Sequence, residues 1–192
     1  MLTIGITGGI GSGKTIVCEV IKCMGYPVYN SDLVSKELCN NHTPLKEALI
    51  ASFTKDIYTE TGLNKKVFAD IIFNNPDELK KANAIIHPYV AQDFLKWASE
   101  KTSILAFLES AILFESGFNH LVDKTVLVYA PVELRIQRAI NRDGEEQHNS
   151  ILERIEQQSS EDLIQKQANF IIYNDENQLV IPQIHSILNS IS

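Results

Sequence analysis

The sequence predicts an α/β protein with a five-stranded parallel sheet and helices on both faces, for two reasons. Short apolar runs of strand length alternate with longer runs whose apolar residues recur at helical spacing. The first apolar run also leads directly into a glycine-rich loop and then a helix. The 192 residues suffice for one sizeable core, and 44% hydrophobic with 21% charged residues is typical of a globular protein.

Five predicted strands cover residues 2–7, 27–29, 103–109, 125–129 and 170–173. Residues 32–100 contain no convincing strand pattern, and we expect helices there over 67–72, over 76–86 and from Pro88 onward, because a proline usually ends or begins a helix. Later helices are predicted to begin at Pro131, to cover 150–158 and to cover 179–191, with a polar interruption over 141–149.

The glycine-rich loop carries the strongest functional signal. Residues 8–15 read GGIGSGKT and match G-x-x-x-x-G-K-[ST] at every fixed position. In such a loop backbone N–H groups converge on phosphate oxygens, the lysine reaches the β- and γ-phosphates, and the hydroxyl can hold Mg²⁺. The predicted nucleotide-binding residues are Gly9, Ile10, Gly11, Ser12, Gly13, Lys14 and Thr15, and Thr15 is also a predicted Mg²⁺ ligand.

A GTPase is disfavoured, because Asn64-Lys65-Lys66-Val67 is not the Asn-Lys-x-Asp element of guanine recognition. Small P-loop kinases instead combine the loop with a helical insertion for the acceptor and a lid that carries arginines. Residues 32–100 and the region after the fourth strand fit that organisation.

Two acidic residues fall where parallel strands end. Asp32 follows the second strand, where it could deprotonate an acceptor hydroxyl, or it could simply cap the helix that follows. Glu109 ends the third strand, where it could hold Mg²⁺, or it could be a surface acid.

All four arginines lie within residues 135–154. Arg138 and Arg142 are four residues apart, on one helix face, and guanidinium groups stabilise the charge of phosphoryl transfer. We interpret this segment as a lid over the triphosphate. The alternative is a solvated face on which the arginines pair with neighbouring acids.

Composition indicates the compartment of the protein and the kinds of partner it lacks. The formal charge of −7 argues against a general role in nucleic-acid binding. No apolar run approaches the ~20 residues that cross a bilayer. Three cysteines without a Cys-x-x-Cys pair indicate neither a disulfide framework nor a zinc site. We therefore expect a cytoplasmic protein without nucleic-acid or membrane partners.

At this point the sequence resembles the dephospho-coenzyme A kinases. Residues 4–15 (IGITGGIGSGKT) are similar to the strand and P-loop of that family, and 28–32 are similar to its Asp-Ala-Asp segment. Ile86-His87-Pro88 matches its HP block, and 109–117 (ESAILFESG) matches its D-x-P-L-L-F-E-S-G segment. Further matches are Phe73, Val122-Asp123, the lid residues Arg138, Arg142, Asp143, Arg154, Ile155 and Gln158, and the closing element that ends at Asn174.

The resemblance implies a five-stranded parallel P-loop kinase sheet with a helical substrate-binding insertion and a helical lid. The nucleotide-binding core would comprise 1–30, 101–137 and 168–192, the acceptor domain 31–100 and the lid 138–167. The implied reaction transfers the γ-phosphate of ATP, with Mg²⁺, to the ribose 3′-hydroxyl of dephospho-coenzyme A. We expect a monomer.

The resemblance also assigns roles to residues. Lys14, Asp32, Arg138 and Arg142 would be catalytic, with Asp32 as the base, and Arg142 and Asn174 would contact the nucleotide. Lys65, His87 and Glu115 would join Asp32 in binding the acceptor, although a histidine such as His87 is more often structural and Glu115 is more often a loop cap.

Three departures from the family fall at or beside the predicted site: Asn30 stands where the family has its first Asp, Glu109 replaces an Asp, and Lys65 stands at a basic position usually held by Arg. The alternatives to this function are another P-loop kinase of nucleosides or small metabolites, and a non-enzymatic switch that responds to nucleotide.

Overall fold

The predicted parallel sheet is confirmed by the computed structural model of the chain, which describes residues 1–73, 75–144, 151, 152, 155 and 161–191. Residues Met1–Asn30 and Lys101–Ser192 form one compact unit, and Ser31–Glu100 form a second. The predicted helix at 150–158 and the predicted lid residue Arg154 fall largely outside the described residues.

The first unit contains the sheet and the helices around it. Its strands are β1 (Leu2–Thr7), β2 (Val28–Asn30), β5 (Leu105–Glu109), β6 (Lys124–Tyr129) and β7 (Phe170–Tyr173). Its helices are α1 (Lys14–Cys23), α6 (Val132–Asp143), α7 (Glu161–Gln167) and α8 (Val180–Ile191). The second unit holds α2 (Ser31–Asn41), α3 (Thr43–Ser52), α4 (Lys65–Phe73), α5 (Pro76–Ser99) and a hairpin of β3 (Tyr58–Thr59) and β4 (Gly62–Leu63).

The strand order places the glycine-rich loop at the centre of the sheet. The order is β2-β5-β1-β6-β7, with every pairing parallel. The chain moves to one side of β1 for β2 and β5, and to the other side for β6 and β7, so the order reverses at β1. Ligands of open parallel sheets bind at such a switch point, beyond the carboxyl ends of the strands.

One face of this sheet is covered by α1 and α8. Ile4 and Ile6 of β1 are fully buried, as is Val17 of α1, and Ile184 of α8 packs into the same cluster. Burial of one such aliphatic side chain contributes about 1.5–3 kcal/mol relative to an exposed one. This packing fixes the end of β1 and the start of α1, and therefore both ends of the loop that joins them.

The second unit differs from the sequence prediction in two respects. The helices predicted over 76–86 and from Pro88 are one helix, α5, with Pro88 inside it. Pro88 and Ala84 both lie on the exposed side, so water can reach the Ala84 carbonyl that lacks its helical donor. Where no strand was expected, Tyr58 and Leu63 pair in a two-residue antiparallel hairpin.

A stripe of buried residues explains why α5 continues through the proline. The buried positions recur every fourth residue and are Ala82, Ile86, Val90, Phe94 and Ala98. They provide one continuous apolar face, against which α2, α3 and α4 pack. Tertiary burial along the whole helix outweighs the local cost of one proline.

The predicted polar interruption at 141–149 also needs correction, because α6 continues without a break to Asp143. Arg138 and Arg142 therefore belong to α6, which packs within the first unit. No helix among the described residues combines the length and the apolar character needed to cross a membrane.

Candidate phosphoryl-transfer site

The glycine-rich loop occupies residues 8–13, between β1 and α1. Gly11 and Gly13 adopt left-handed φ values of 79° and 88°, which residues other than glycine rarely adopt. A Cβ at Gly11 would overlap the backbone of Arg135, and a Cβ at Gly13 would overlap the Asn174 side-chain amide. Both glycines are therefore required by conformation and by space.

Two side chains from later in the chain fix the loop. Arg135 Nε donates to the Ile10 carbonyl at 2.9 Å, and Asn174 Nδ2 donates to the Ser12 carbonyl at 2.8 Å. Arg135 is only 2% exposed. Each contact occupies a backbone carbonyl of the loop, and the Ser12 N–H closes a turn on the Gly9 carbonyl at 3.0 Å, so the shape of the loop is fixed by three hydrogen bonds.

Ser12 provides an independent sign that the loop binds an anion. Its hydroxyl is buried and, among the residues that the structure describes, is the one buried side-chain oxygen or nitrogen without a hydrogen-bond partner. A buried hydroxyl without a partner costs about 1–3 kcal/mol. Because it lies just before the amino-terminus of α1, a phosphate oxygen is a fitting partner.

Glu109 is the centre of a hydrogen-bonded cluster beside the loop. Its Oε1 accepts from Lys14 Nζ at 2.8 Å and from Thr15 Oγ1 at 3.1 Å, and its Oε2 accepts from Asn30 Nδ2 at 2.8 Å. Glu109 is 1% exposed, so the alternative of a surface acid is wrong.

The cluster also determines the charge state of Glu109. Burial alone would raise the pKa of this carboxyl, but the Lys14 ammonium and the hydrogen bonds from Lys14, Thr15 and Asn30 together hold its pKa below the ordinary value. Glu109 is therefore an anion at neutral pH, compensated by the Lys14 cation.

The oxygens of Thr15 and Glu109 suit a magnesium ion. They are hard donors 3.1 Å apart, and Mg²⁺ needs few protein ligands because it keeps several of its waters. Groups of three or more His, Cys, Asp or Glu in a metal-binding arrangement are absent from the described part of the chain. The donor set therefore fits Mg²⁺ held together with phosphate oxygens.

The two predicted lid arginines make different contacts. Arg138 donates from Nη1 to the Asn174 carbonyl at 3.0 Å and from Nη2 to Glu176 at 3.2 Å. Arg142 forms a bidentate pair with Asp143, at 2.7 Å for both bonds, and its side chain is 63% exposed. The pair with Asp143 raises the pKa of Arg142. In this structure Arg142 therefore makes the contacts of the solvated-face alternative.

The predicted acceptor residues are divided between the two units. Asp32 lies in the first turn of α2, which begins at Ser31, so Asp32 is neither in a loop nor the cap of this helix. Lys65 is the first residue of α4, and His87 lies within α5, where burial lowers its pKa. Glu115 is exposed in the segment after β5, in the first unit.

Lys65 also lines a cavity inside the second unit. The cavity has a volume of about 210 Å³, and its walls include Lys36, Cys39, Lys65 and Phe68. Two lysines beside apolar side chains provide a place for a ligand with a negative group and an apolar body.

Sequence reasoning misses the contact of Arg135 with the loop and assigns no site role to Asn30. The arginine pattern groups Arg135 with the lid, yet it lies 125 residues from the loop carbonyl to which it donates. Asn30 stands out in the sequence only as a missing acid, although it lies directly opposite Glu109 in the sheet. Its position at the end of a strand beside the strand of Glu109 is the available signal.

A G-x-x-x-x-G-K-T loop after the central strand of a parallel sheet, with a carboxylate on the neighbouring strand, defines a P-loop nucleotide-binding protein of the kinase type. A family model described as dephospho-CoA kinase matches residues 2–179. The chain therefore belongs to the dephospho-CoA kinase family.

Individual relatives agree with that assignment. The dephospho-CoA kinase of Porphyromonas gingivalis is 40% identical over 100% of this chain and 95% of its own length. That of Bacteroides fragilis strain YCH46 is 39% identical over 97% of this chain and 91% of its own length.

Solved structures share the fold. The crystal structure of TT1252 from Thermus thermophilus has a TM-score of 0.85 and 29% identity, and the match covers 100% of this chain and 98% of that one. A dephospho-CoA kinase from Campylobacter jejuni has a TM-score of 0.70 at 23% identity, over 99% and 96% of the two chains, which supports the fold.

Proposed function

We propose that this chain transfers the γ-phosphoryl group of ATP to the ribose 3′-hydroxyl of dephospho-CoA and thereby forms CoA and ADP. Family membership supports the substrates. The observation that carries the chemistry is the cluster of Lys14, Thr15 and Glu109 beside a loop with an unpartnered buried hydroxyl at Ser12.

The loop and α1 bind the β- and γ-phosphates in this proposal. The N–H groups of the loop and the Ser12 hydroxyl donate to phosphate oxygens, and Lys14 turns from Glu109 toward the β/γ bridge. Thr15 and Glu109 would hold Mg²⁺, which would supply positive charge to stabilise the phosphate oxygens. Because Thr15 and Asn30 still donate to Glu109, its carboxylate keeps its orientation when Lys14 moves.

The acceptor hydroxyl requires a base, and we assign that role to Asp32. It follows β2 by two residues, and a carboxylate can orient the 3′-hydroxyl and accept its proton during transfer. Arg138 and Arg142 then stabilise negative charge on the transferring phosphoryl group, for which Arg142 must exchange Asp143 for phosphate. Asn174 supports the nucleotide indirectly, through the Ser12 carbonyl.

Lys65, His87 and Glu115 complete the proposed acceptor site. The exposed ammonium of Lys65 suits the pyrophosphate of dephospho-CoA, and the half-buried His87, kept neutral at pH 7 by burial, can donate or accept a hydrogen bond. We propose that the enzyme acts as a monomer in the cytoplasm.

A coupled assay of ADP release tests the function. Dephospho-CoA is expected to accelerate ADP formation strongly over ATP alone. CoA is the matched control, because its 3′-hydroxyl is already phosphorylated and cannot accept. Shikimate, gluconate and adenosine extend the acceptor panel, and mass spectrometry identifies the product. Equal ADP release with and without dephospho-CoA would contradict the proposal and favour a nucleotide-dependent switch.

Lys14→Ala provides the inactive control. We expect this variant to lose nearly all turnover, because the charge at the β- and γ-phosphates is removed. Glu109 keeps its hydrogen bonds from Thr15 and Asn30, so the variant should still fold. Circular dichroism measures the second half of this prediction, and substantial turnover in a folded variant would contradict the first half.

A further inference from the structure

Asn30 and Glu109 are opposite one another at the carboxyl edge of the sheet. They are the last residues of β2 and β5, and the parallel register pairs them directly. Residues paired in this way project from the same face of a sheet, so their side chains are immediate neighbours. Both positions also depart from the residue type that the family resemblance leads one to expect.

The two oxygens of Glu109 accept hydrogen bonds from different donors. Oε1 faces α1 and accepts from Lys14 and Thr15, and Oε2 accepts from the Asn30 amide at 2.8 Å. A carboxylate that is 1% exposed needs such donors, because a buried charge without hydrogen bonds is strongly unfavourable. The amide of Asn30 therefore helps to fix the orientation of the carboxylate, with one oxygen at Asn30 and the other at α1.

We propose that Asn30 is a positioning residue for magnesium-dependent nucleotide binding: its neutral amide binds one oxygen of Glu109 and so keeps the other oxygen facing Thr15. The proposal rests on the proposed function of this site in binding ATP with Mg²⁺. In this chain the amide stabilises Glu109 because it is a donor. An acid at position 30 would place two carboxylates within hydrogen-bond distance, and Lys14 is the one cation bonded to Glu109 among the residues that the structure describes.

The effect of Asn30 is expected on metal-dependent binding rather than on the loop itself. Mutation of a group that holds a metal ligand by a hydrogen bond typically lowers metal affinity or activity by about 10–100-fold. The hydrogen bonds that shape the loop come from Arg135 and Asn174 instead. Removal of the Asn30 amide should therefore leave the affinity for nucleotide without Mg²⁺ close to that of the wild type.

Calorimetric titration of the full chain with ATP, with and without Mg²⁺, tests this inference without any turnover. In the wild type Mg²⁺ should tighten ATP binding, and Asn30→Ala should lose most of that gain, by about tenfold or more. Asn189→Ala is the matched control, because it removes an exposed amide on α8 far along the chain, and it should behave as the wild type. An unchanged Mg²⁺ gain in Asn30→Ala would overturn the proposal.

Two further variants, which exchange the charged and the amide side chain between positions 30 and 109, distinguish loss of the hydrogen bond from general unfolding. Asn30→Asp should lower the melting temperature more than Asn30→Ala, because it adds repulsion to the lost hydrogen bond. The double variant Asn30→Asp/Glu109→Gln restores an amide-to-carboxylate hydrogen bond with the roles reversed, so its melting temperature should recover toward the wild type. Its Mg²⁺ gain should remain low, because the charge has left the oxygen next to Thr15.

The outcomes separate this inference from the proposed function. If dephospho-CoA is not the acceptor but Asn30→Ala loses its Mg²⁺ gain, the function fails and the positioning role stands. If dephospho-CoA is phosphorylated and Asn30→Asp has a wild-type melting temperature and Mg²⁺ gain, the positioning role is overturned.

Discussion

Arg135 is a buried cation that donates a hydrogen bond to a backbone carbonyl of the phosphate loop. The guanidinium also lies where a Cβ on Gly9 would be, so the arginine packs directly against the loop backbone. A hydrogen bond from a charged donor is worth about 1.5–3 kcal/mol, and a lysine cannot place a donor at the Nε position. Arg135 therefore contributes to the fold and, through loop shape, to nucleotide binding.

We predict that Arg135→Lys lowers the free energy of unfolding by about 1–3 kcal/mol and raises the KM for ATP several-fold. Urea unfolding and initial rates measure the two effects. Lys22→Ala is the control, because it removes an exposed cation and an exposed ion pair on α1, which is worth about 0–1 kcal/mol. Wild-type stability and KM in Arg135→Lys would refute the supporting role.

Asp32 permits a sharper test than most candidate bases. Asp32→Asn keeps the size of the side chain, and the loss of a negative charge in the first turn of α2 costs only about 0.3–1 kcal/mol. We predict that kcat falls by about 10²-fold or more, while the affinity for ATP is retained. Glu37→Gln removes an exposed acid from the same helix and should keep full activity. Full activity of Asp32→Asn would exclude it as the base.

Among the helices, α5 shows most clearly what sequence patterns could and could not predict. The apolar spacing on each side of Pro88 indicates helix, and the proline rule divides it in two. The structure keeps one helix because the buried stripe continues from Ile86 to Val90 and the proline faces solvent. Burial against other helices depends on the tertiary fold, which local rules do not contain.

The same distinction applies to the site. The loop over residues 8–15 could be predicted, because its motif is contiguous and each residue type has a local reason. The contacts of Asn30 and Arg135 could not be predicted, because they join strands and helices that are distant in sequence, and the position of Asn30 at a strand end becomes a signal only when the strand order is known. The short hairpin of β3 and β4 was not predicted for a different reason: strands of two residues are too short to show an alternation of apolar and polar side chains.

At the scale of one element, we predict that Pro88→Ala does not lower the melting temperature. Proline inside a helix costs about 3 kcal/mol relative to alanine, and the substitution returns an N–H donor to the Ala84 carbonyl. Differential scanning calorimetry measures the change. Pro76→Ala is the comparison, because proline in the first turn of α5 has no such cost. A large fall in melting temperature for Pro88→Ala would mean that α5 needs its proline.

For the whole molecule, buried ionisable groups determine how stability depends on pH. Burial lowers the pKa of His87 below its ordinary value of 6.5, so the unfolded chain binds the proton more readily than the folded chain. The contribution of His87 is fully present above the ordinary pKa and is lost as the pH falls through the folded value. Glu109, whose pKa is also lowered, adds a second loss that begins near its ordinary value of 4.5.

We predict that wild-type stability decreases as the pH is lowered from 7 toward 5, and that His87→Gln loses less stability over the same interval. Urea unfolding at several pH values measures the slopes. His185→Gln changes an exposed histidine on α8 and should follow the wild type. Parallel curves for the wild type and His87→Gln would contradict the assignment of this slope to His87.

The strand order has a consequence for folding during synthesis on the ribosome. β1 is made first, yet its two neighbours, β5 and β6, begin only at residues 105 and 124. At about 5–20 residues per second, the central strand therefore waits several seconds for its partners. During that interval the backbone edges of β1 are unpaired and its isoleucines are exposed, while residues 31–100 already contain their own apolar stripe. The central strand is therefore the part of the sheet that waits longest for its partners during synthesis, a demand that is separate from the stability of the finished sheet.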